Sequence, residues 1–161
     1  MKSGSHLWRR SLSWLLPAAV VLAIDQVTKA WVASHLAIGS RTWLVGHLVS
    51  LTPYYNSGAA FSLLPHQAYW LGVIGVAAAV VVAVVAALTR QLWLGVTLGV
   101  LLGGIIGNLI SRFRGQAVLD FIKLPHWPAF NVADMAITVA AVVLIVESWA
   151  GARGKGGGSH R

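Results

Sequence analysis

Four apolar runs, at about 12 to 34, 67 to 88, 92 to 111 and 132 to 150, constrain this chain more than any other feature. Each approaches the roughly 20 residues that a helix needs to cross about 30 Å of hydrocarbon. In that solvent every backbone N–H and C=O must find a partner within the segment, so the runs are expected as transmembrane helices. Hydrophobic residues at 57% and a mean hydropathy of +0.74 are too high for an ordinary soluble domain of 161 residues. The expected fold class is an all-α membrane protein: four transmembrane helices in one unit over residues 1–150, then a flexible Gly-rich cytoplasmic tail at 151–161. The opening, MKSGSHLWRRSLSWLLPAAVVLAI, has the basic head and apolar body of a secretory signal. Its apolar character continues through DQVTKAWVASHL with no small-x-small cleavage site, so it reads as an uncleaved first span.

Four crossings leave both termini on one side. Placing them inside makes Lys2, Arg9, Arg10, Arg90, Arg153, Lys155 and Arg161 cytoplasmic, 7 of the 12 basic residues, as the positive-inside tendency requires. These cations explain the formal charge of +8. They sit at the ends of apolar runs and form no continuous stripe, so nucleic acid is not an expected partner. Two outer segments remain, about 35 to 66 and about 112 to 131. HLVSLTPYYN in the first and QAVLDFIKL in the second are strand-like, and they are expected to pair as a small extracytoplasmic sheet.

The available chemistry is narrow. There are no cysteines, which excludes disulfides, thiolate metal sites and cysteine nucleophiles. The six histidines include no pair at i,i+3 or i,i+4, against a zinc peptidase, and no motif ties Ser57 or Ser62 to Lys29 or Lys123 as a Ser/Lys dyad. The carboxylates are Asp25, Asp120, Asp134 and Glu147. Glu147, beside Trp149 at the inner end of the fourth run, can reach the headgroups and is given no role. Asp134 stands about four residues inside the outer end of that run, roughly 6 Å deep at 1.5 Å per residue. A carboxylate there either complements the helix dipole or belongs to a functional site. Asp120 ends the outer segment on the same side, and Pro125 and Pro128 favour a turn that brings the two acids together. Facing carboxylates cannot both ionise easily; sharing a proton, one activates water and the other protonates a scissile carbonyl.

Three further features surround that pair. Asp25 and Lys29 lie at i,i+4 in the favourable acid-then-base order, as a structural ion pair or a substrate contact. Gly95, Gly99, Gly103 and Gly107 line one face of the third run, a groove for close helix packing. Asn108 and Arg112 follow on an adjacent face, an amide and a guanidinium suited to holding a backbone or a carboxylate.

Taken together, DQVTK (25–29), YNSGAAFS (55–62), GGIIGNLISRF (103–113), AVLDFIKL (117–124) and PAFNVADMAI (128–137) closely resemble the bacterial lipoprotein signal peptidases, or signal peptidase II. The blocks fall in the family's order from the first span to the fourth. The resemblance implies an aspartic endopeptidase of the cytoplasmic membrane that removes the signal peptide of diacylglyceryl-modified prolipoproteins just before the lipidated cysteine. It assigns catalysis to Asp120 and Asp134. Substrate binding or support falls to Asn56, Gly58, Asn108, Arg112, Asn131, Asp25 and Lys29. It also implies a sheet cradle with a short amphipathic helix outside the membrane, an active site near the outer face, no cofactor or metal, a monomer in contact with membrane lipid, and inhibition by globomycin-type cyclic peptides. One departure stands out: the family's GNLIDR reads GNLISR here, with Ser111 in place of an aspartate. Since Ser111 is outside the inferred pair, catalysis is expected to survive. Two other readings compete, a small transporter with an ion relay through the same acids, and a non-catalytic protein that binds lipoprotein precursors.

Overall fold

A computed structural model of the chain describes residues 3–58, 67–115 and 117–156. Four helices and three strands follow in the order α1 (Ser3–His35), β1 (Thr42–Val45), β2 (Val49–Asn56), α2 (Gln67–Leu88), α3 (Leu92–Gly115), β3 (Val118–Lys123) and α4 (Val132–Gly156). Ser11–His35, Tyr69–Leu88, Leu92–Gly115 and Val132–Ala150 are each long and apolar enough to cross a membrane, the four spans expected. Two helices outrun their apolar segments. α3 continues from 111 to Gly115, taking Arg112 and Arg114 into its last turn, where cations complement the negative end of the helix dipole. α4 continues through the first part of the expected tail to Gly156, and residues 157–161 lie outside the described residues.

α3 is the axis of the bundle and packs against α1, α2 and α4. Of its apolar stretch 56% is buried in the protein, against 11% in each of the other three. Its glycines make this possible. A methyl group at Gly99 would collide with the main-chain carbonyl of Trp14 on α1, and one at Gly104 would stand 2.7 Å from the carbonyl of Ala133 on α4. Without a hydrophobic drive between helices in lipid, such backbone approach is a principal source of packing energy. The outer faces of α1, α2 and α4 carry Leu16, Val27, Ile74, Val81, Ile145 and Val146, all exposed. An apolar surface so extensive requires lipid, not water, as its solvent.

At the other level the strands form one antiparallel sheet in the order β1-β2-β3. The expected pairing of the two outer segments is that of β2 with β3, with Ser50 opposite Lys123 and Tyr54 opposite Asp120. β1, which was not expected, pairs along the other edge of β2. The register of β2 against β3 slips between Leu51 and Tyr54, around Pro53, whose missing N–H cannot join a ladder. Beneath the sheet, Val32 of α1 packs with Leu119 and Phe121 of β3, rimmed by Leu36, Leu51, Ile122 and Val132. Burial of each such side chain contributes about 1.5–3 kcal/mol, so this cluster ties the sheet to the ends of α1 and α4. No short helix accompanies the sheet among the described residues. Residues 59–66, which include the end of the YNSGAAFS block and Ser62, lie outside them.

Candidate active site

Asp120 and Asp134 reach the same place from different elements. Asp120 is held by β3, and Asp134 by the first turn of α4, which begins just after the chain bonds back to β3 through Phe130. Asn131 links them. Its Nδ2 donates to Asp120 Oδ1 at 2.7 Å, and its main-chain N–H donates to Asp134 Oδ2 at 3.2 Å. In return Asn131 Oδ1 accepts from the N–H of Asp134 at 3.0 Å. This exchange is a capping box, in which the residue before the helix and the third residue inside it satisfy each other's donors. Asp134 therefore caps its helix, and Asn131 joins it to Asp120.

Each carboxylate also has an amide of its own. Asn56, at the end of β2, donates from Nδ2 to Asp120 Oδ2 at 2.8 Å, and its Oδ1 accepts the N–H of Gly58 at 2.8 Å, which fixes the amide's orientation. Gly58 adopts a φ of +87°, a left-handed conformation that glycine enters without strain. Asn108, on α3, donates from Nδ2 to Asp134 Oδ1 at 2.7 Å. Its Oδ1 accepts from Lys29 Nζ at 3.0 Å and from Asn131 Nδ2 at 3.2 Å. Arg112, one turn further along α3, lies within electrostatic reach of both Asp134 and Asp120. Asp120 is 2% exposed, whereas Asp134 is half-buried and Asn56 exposed, so the pair opens to the surface of the fold.

Behind the pair lies a sealed ion pair. Asp25 is 0% exposed and its Oδ2 accepts from Lys29 Nζ at 2.8 Å. Its Oδ1 accepts the N–H of Ala133 at 3.0 Å, a second donor of the α4 N-terminus that the capping box leaves free. Gly107 makes room for it, since a Cβ there would stand 2.6 Å from Asp25 Oδ2. Thus Asp25 and Lys29 contact the frame of the site and not its opening.

Burial pushes the Asp120 carboxyl up to about 6, with the neighbouring charge of Asp134 acting in the same direction. The hydrogen bonds from Asn56 and Asn131 and the charge of Lys29 oppose that rise. A carboxyl poised near 6 exchanges its proton close to neutral pH.

Residues 17–150 match the sequence profile of the family described as Signal peptidase (SPase) II. The chain is a member of the signal peptidase II family. It is similar to the lipoprotein signal peptidase of Pseudomonas fluorescens, 40% identical over 148 residues that cover 84% of this chain and 86% of the relative. That of Rhodococcus jostii is 36% identical over 144 residues, covering 86% and 73%. A bacterial membrane enzyme solved by the in meso method at 1.9 Å superposes with a TM-score of 0.78 at 26% identity, over 91% of this chain and 94% of that one. Another, solved by the same method at 2.3 Å, superposes with a TM-score of 0.81 at 24% identity over 100% and 97%, and speaks for the fold alone. As a signal peptidase II with four spans, the chain is a multi-pass bacterial membrane peptidase.

In this signal peptidase the residues singled out from sequence converge. Asp120, Asp134, Asn56, Asn108 and Asn131 form one hydrogen-bonded group, and Asp25 and Lys29 join it through Asn108 and Ala133. Ser111 donates to the carbonyl of Gly107 at 3.2 Å, a bond within its own helix. One participant had no sequence signal of its own: Gln26, inside the DQVTK block, donates from Nε2 to Asp25 Oδ2 at 3.0 Å and to the carbonyl of Gly107 at 3.2 Å. The capping box was legible, since Asn131 and Asp134 stand at the cap-and-third-residue spacing before an apolar run.

Proposed function

We propose that this peptidase removes the signal peptide of diacylglyceryl-modified prolipoproteins by aspartic chemistry, with Asp120 and Asp134 as the catalytic pair. The reading rests on one observation: Asn131 holds both carboxylates from a single residue, through its side chain to Asp120 and through its main chain to Asp134. Asp120, pushed up to about 6, holds the shared proton and gives it to the scissile carbonyl oxygen. Asp134 takes a proton from water as the water oxygen attacks the carbonyl carbon. The tetrahedral gem-diol then collapses as the C–N bond breaks: the proton taken by Asp134 passes to the departing nitrogen, and one hydroxyl proton returns to Asp120 as the C=O bond re-forms. Arg112 stands where it can meet the substrate's developing or terminal carboxylate.

The site lies at the end of the bundle where α1 and α3 finish and α4 starts, beside the sheet. With the termini in the cytoplasm this is the outer face, where a lipid-anchored substrate presents its cleavage site. The family's name for its relatives supports the substrate, and 7 of 12 cations on the inner side support the orientation. An ion relay would need polar groups through the depth of the membrane, yet α2 carries no Asp, Glu, Lys, Arg or His from Ala68 to Leu88.

The test is cleavage of a lipidated prolipoprotein by the purified protein and by Asp120→Asn and Asp134→Asn. Cleavage retained in either single variant overturns the pair. A reporter fused after Arg161 that proved extracytoplasmic would overturn the orientation.

A further inference from the structure

The sheet carries a second group of polar side chains that the peptidase chemistry does not use. Trp43 of β1 pairs with Ser50 of β2, and Ser50 pairs with Lys123 of β3. Residues paired directly across antiparallel strands share a face, so these three form one row across the sheet. Lys123 is three residues from Asp120 on the same strand, and side chains on a strand alternate, which puts this row on the face away from the carboxylate pair. A cavity of about 290 Å³ lies over the row, and Arg41, His47, Leu124, Pro125 and His126 complete its wall.

Its chemistry has one sign. Arg41 and Lys123 are fixed cations and the histidines add N–H donors, but no carboxylate lines the cavity. Among the described residues the one ion pair is Lys29 with Asp25, so neither Arg41 nor Lys123 is neutralised within the protein. The Arg41 guanidinium lies 5.3 Å from the centre of the Trp43 ring, and Lys123 Nζ donates to the carbonyl of Trp127 at 2.7 Å. Both heads are thus held in place while retaining further donors.

His126 adds an independent mark. Its φ is +58°, the one positive φ among the described residues other than glycine. It follows Pro125 in a turn closed by the N–H of Trp127 on the carbonyl of Leu124 at 3.3 Å, the turn position where glycine is ordinarily favoured. Strain of about 1–3 kcal/mol is retained where a side chain serves a purpose the backbone alone would not demand.

What surrounds the cavity identifies its occupant. Leu44, Val45 and Leu48 at the β1–β2 turn and Trp127 beside His126 are all more than half exposed. Large aliphatic and indole side chains beside cations at the end of a transmembrane bundle match the boundary of a bilayer, where apolar groups enter the acyl region and cations meet the phosphates. The geometry points to a lipid site: the cavity holds the phosphate of an anionic phospholipid headgroup, with Arg41 and Lys123 as its charged partners and Leu44, Val45, Leu48 and Trp127 seated among the chains. A soluble phosphate shares the headgroup's chemistry but has no use for the apolar rim.

The experiment takes the full-length protein in a neutral detergent and measures thermal stability and lipid retained in native mass spectrometry. The additions are phosphatidylglycerol, phosphatidylcholine, inorganic phosphate and a short acidic peptide. Phosphatidylglycerol is expected to raise the melting temperature saturably, with one lipid retained. Arg41→Gln with Lys123→Gln is expected to weaken this by about fivefold per cation, on the order of 25-fold for the two. His126→Gly is expected to leave the lipid-free melting temperature equal or higher, since glycine accepts the φ, while weakening lipid retention by about threefold. Equal affinity of the double variant for phosphatidylglycerol overturns the site. So does an equal response to phosphatidylcholine, because the cations would then read no net charge. Saturation by inorganic phosphate at the same affinity, or protection by the peptide and not by the lipid, removes the lipid as occupant. None of these readouts requires cleavage, so failure of the lipid site and failure of the peptidase assignment remain distinguishable.

Discussion

Asp25 and Asp120 are both buried carboxylates within one hydrogen-bonded group, yet their surroundings differ in kind. Asp25 meets an ammonium, a side-chain amide and a main-chain N–H, so both its charge and its lone pairs are satisfied. Among the described residues Asp120 meets two neutral amides and no cation within ion-pairing distance. The Asp25 carboxylate, bonded to α1 through Lys29 and to the start of α4 through Ala133, ties those helices together. A carboxylate that is hydrogen-bonded but not neutralised feels its desolvation, holds its proton to about pH 6 and is available for proton transfer. The contrast separates the two acids by their surroundings, without reference to their positions in the chain.

The largest way to break that contrast is to treat both acids alike. Asp120→Asn and Asp134→Asn are each expected to lower prolipoprotein cleavage by about 10²–10⁴-fold, the usual worth of general acid–base catalysis, with the helical fold intact by circular dichroism. Asp25→Asn should act on stability first. It strands Lys29 beside a single amide oxygen, and breaking a buried ion pair costs about 3–5 kcal/mol. A melting temperature equal to wild type in this variant would end the structural reading of Asp25. Removing both charges together, Asp25→Asn with Lys29→Met, should cost less than Asp25→Asn alone, because no uncompensated charge remains.

A finer cut is Gly107→Ala. Its methyl would lie 2.6 Å from Asp25 Oδ2, and relieving that overlap should cost about 1–3 kcal/mol in thermal unfolding. Smaller again is a shift in pH dependence. With Asp120 acting in its protonated form, kcat/KM should fall as pH rises through about 6. The Asn56 hydrogen bond favours the ionised form, so Asn56→Ala should move that alkaline limb to higher pH; movement to lower pH would contradict the assignment of the proton to Asp120. The smallest expected effect is that of Ser111→Asp, which should leave the cleavage site unchanged in product mass. Among the described residues Ser111 donates to its own helix, so a large gain in rate would identify the serine as a defect.

Much of this was legible before any coordinates. The four apolar runs dictate helices because hydrocarbon offers no partner to the backbone, and the glycines at every fourth position of α3 mark the face that neighbours approach. Acid and base at i,i+4 on α1 specify a local pair, since one turn of helix brings them together whatever the tertiary fold. The box of Asn131 and Asp134 is local for the same reason. Less legible were β1, a strand of four residues with no alternation, and Gln26, whose two acceptors lie on its neighbour Asp25 and on α3.

The solvent, the number of crossings, the local pairs and the inventory of possible chemistry could be read from the residues alone, because each depends on hydrophobicity or on spacing within one element. That Asp120 is buried without a cation, and that the Asp25–Lys29 pair is closed off, came from contacts between elements. Asp25 and Lys29 meet within α1, but Ala133 and Asn108 close the pair off from separate helices. The two amides on Asp120 come from β2 and from the residue before α4. Burial and hydrogen bonding of a carboxylate depend on groups distant in the chain, and its proton affinity depends on both.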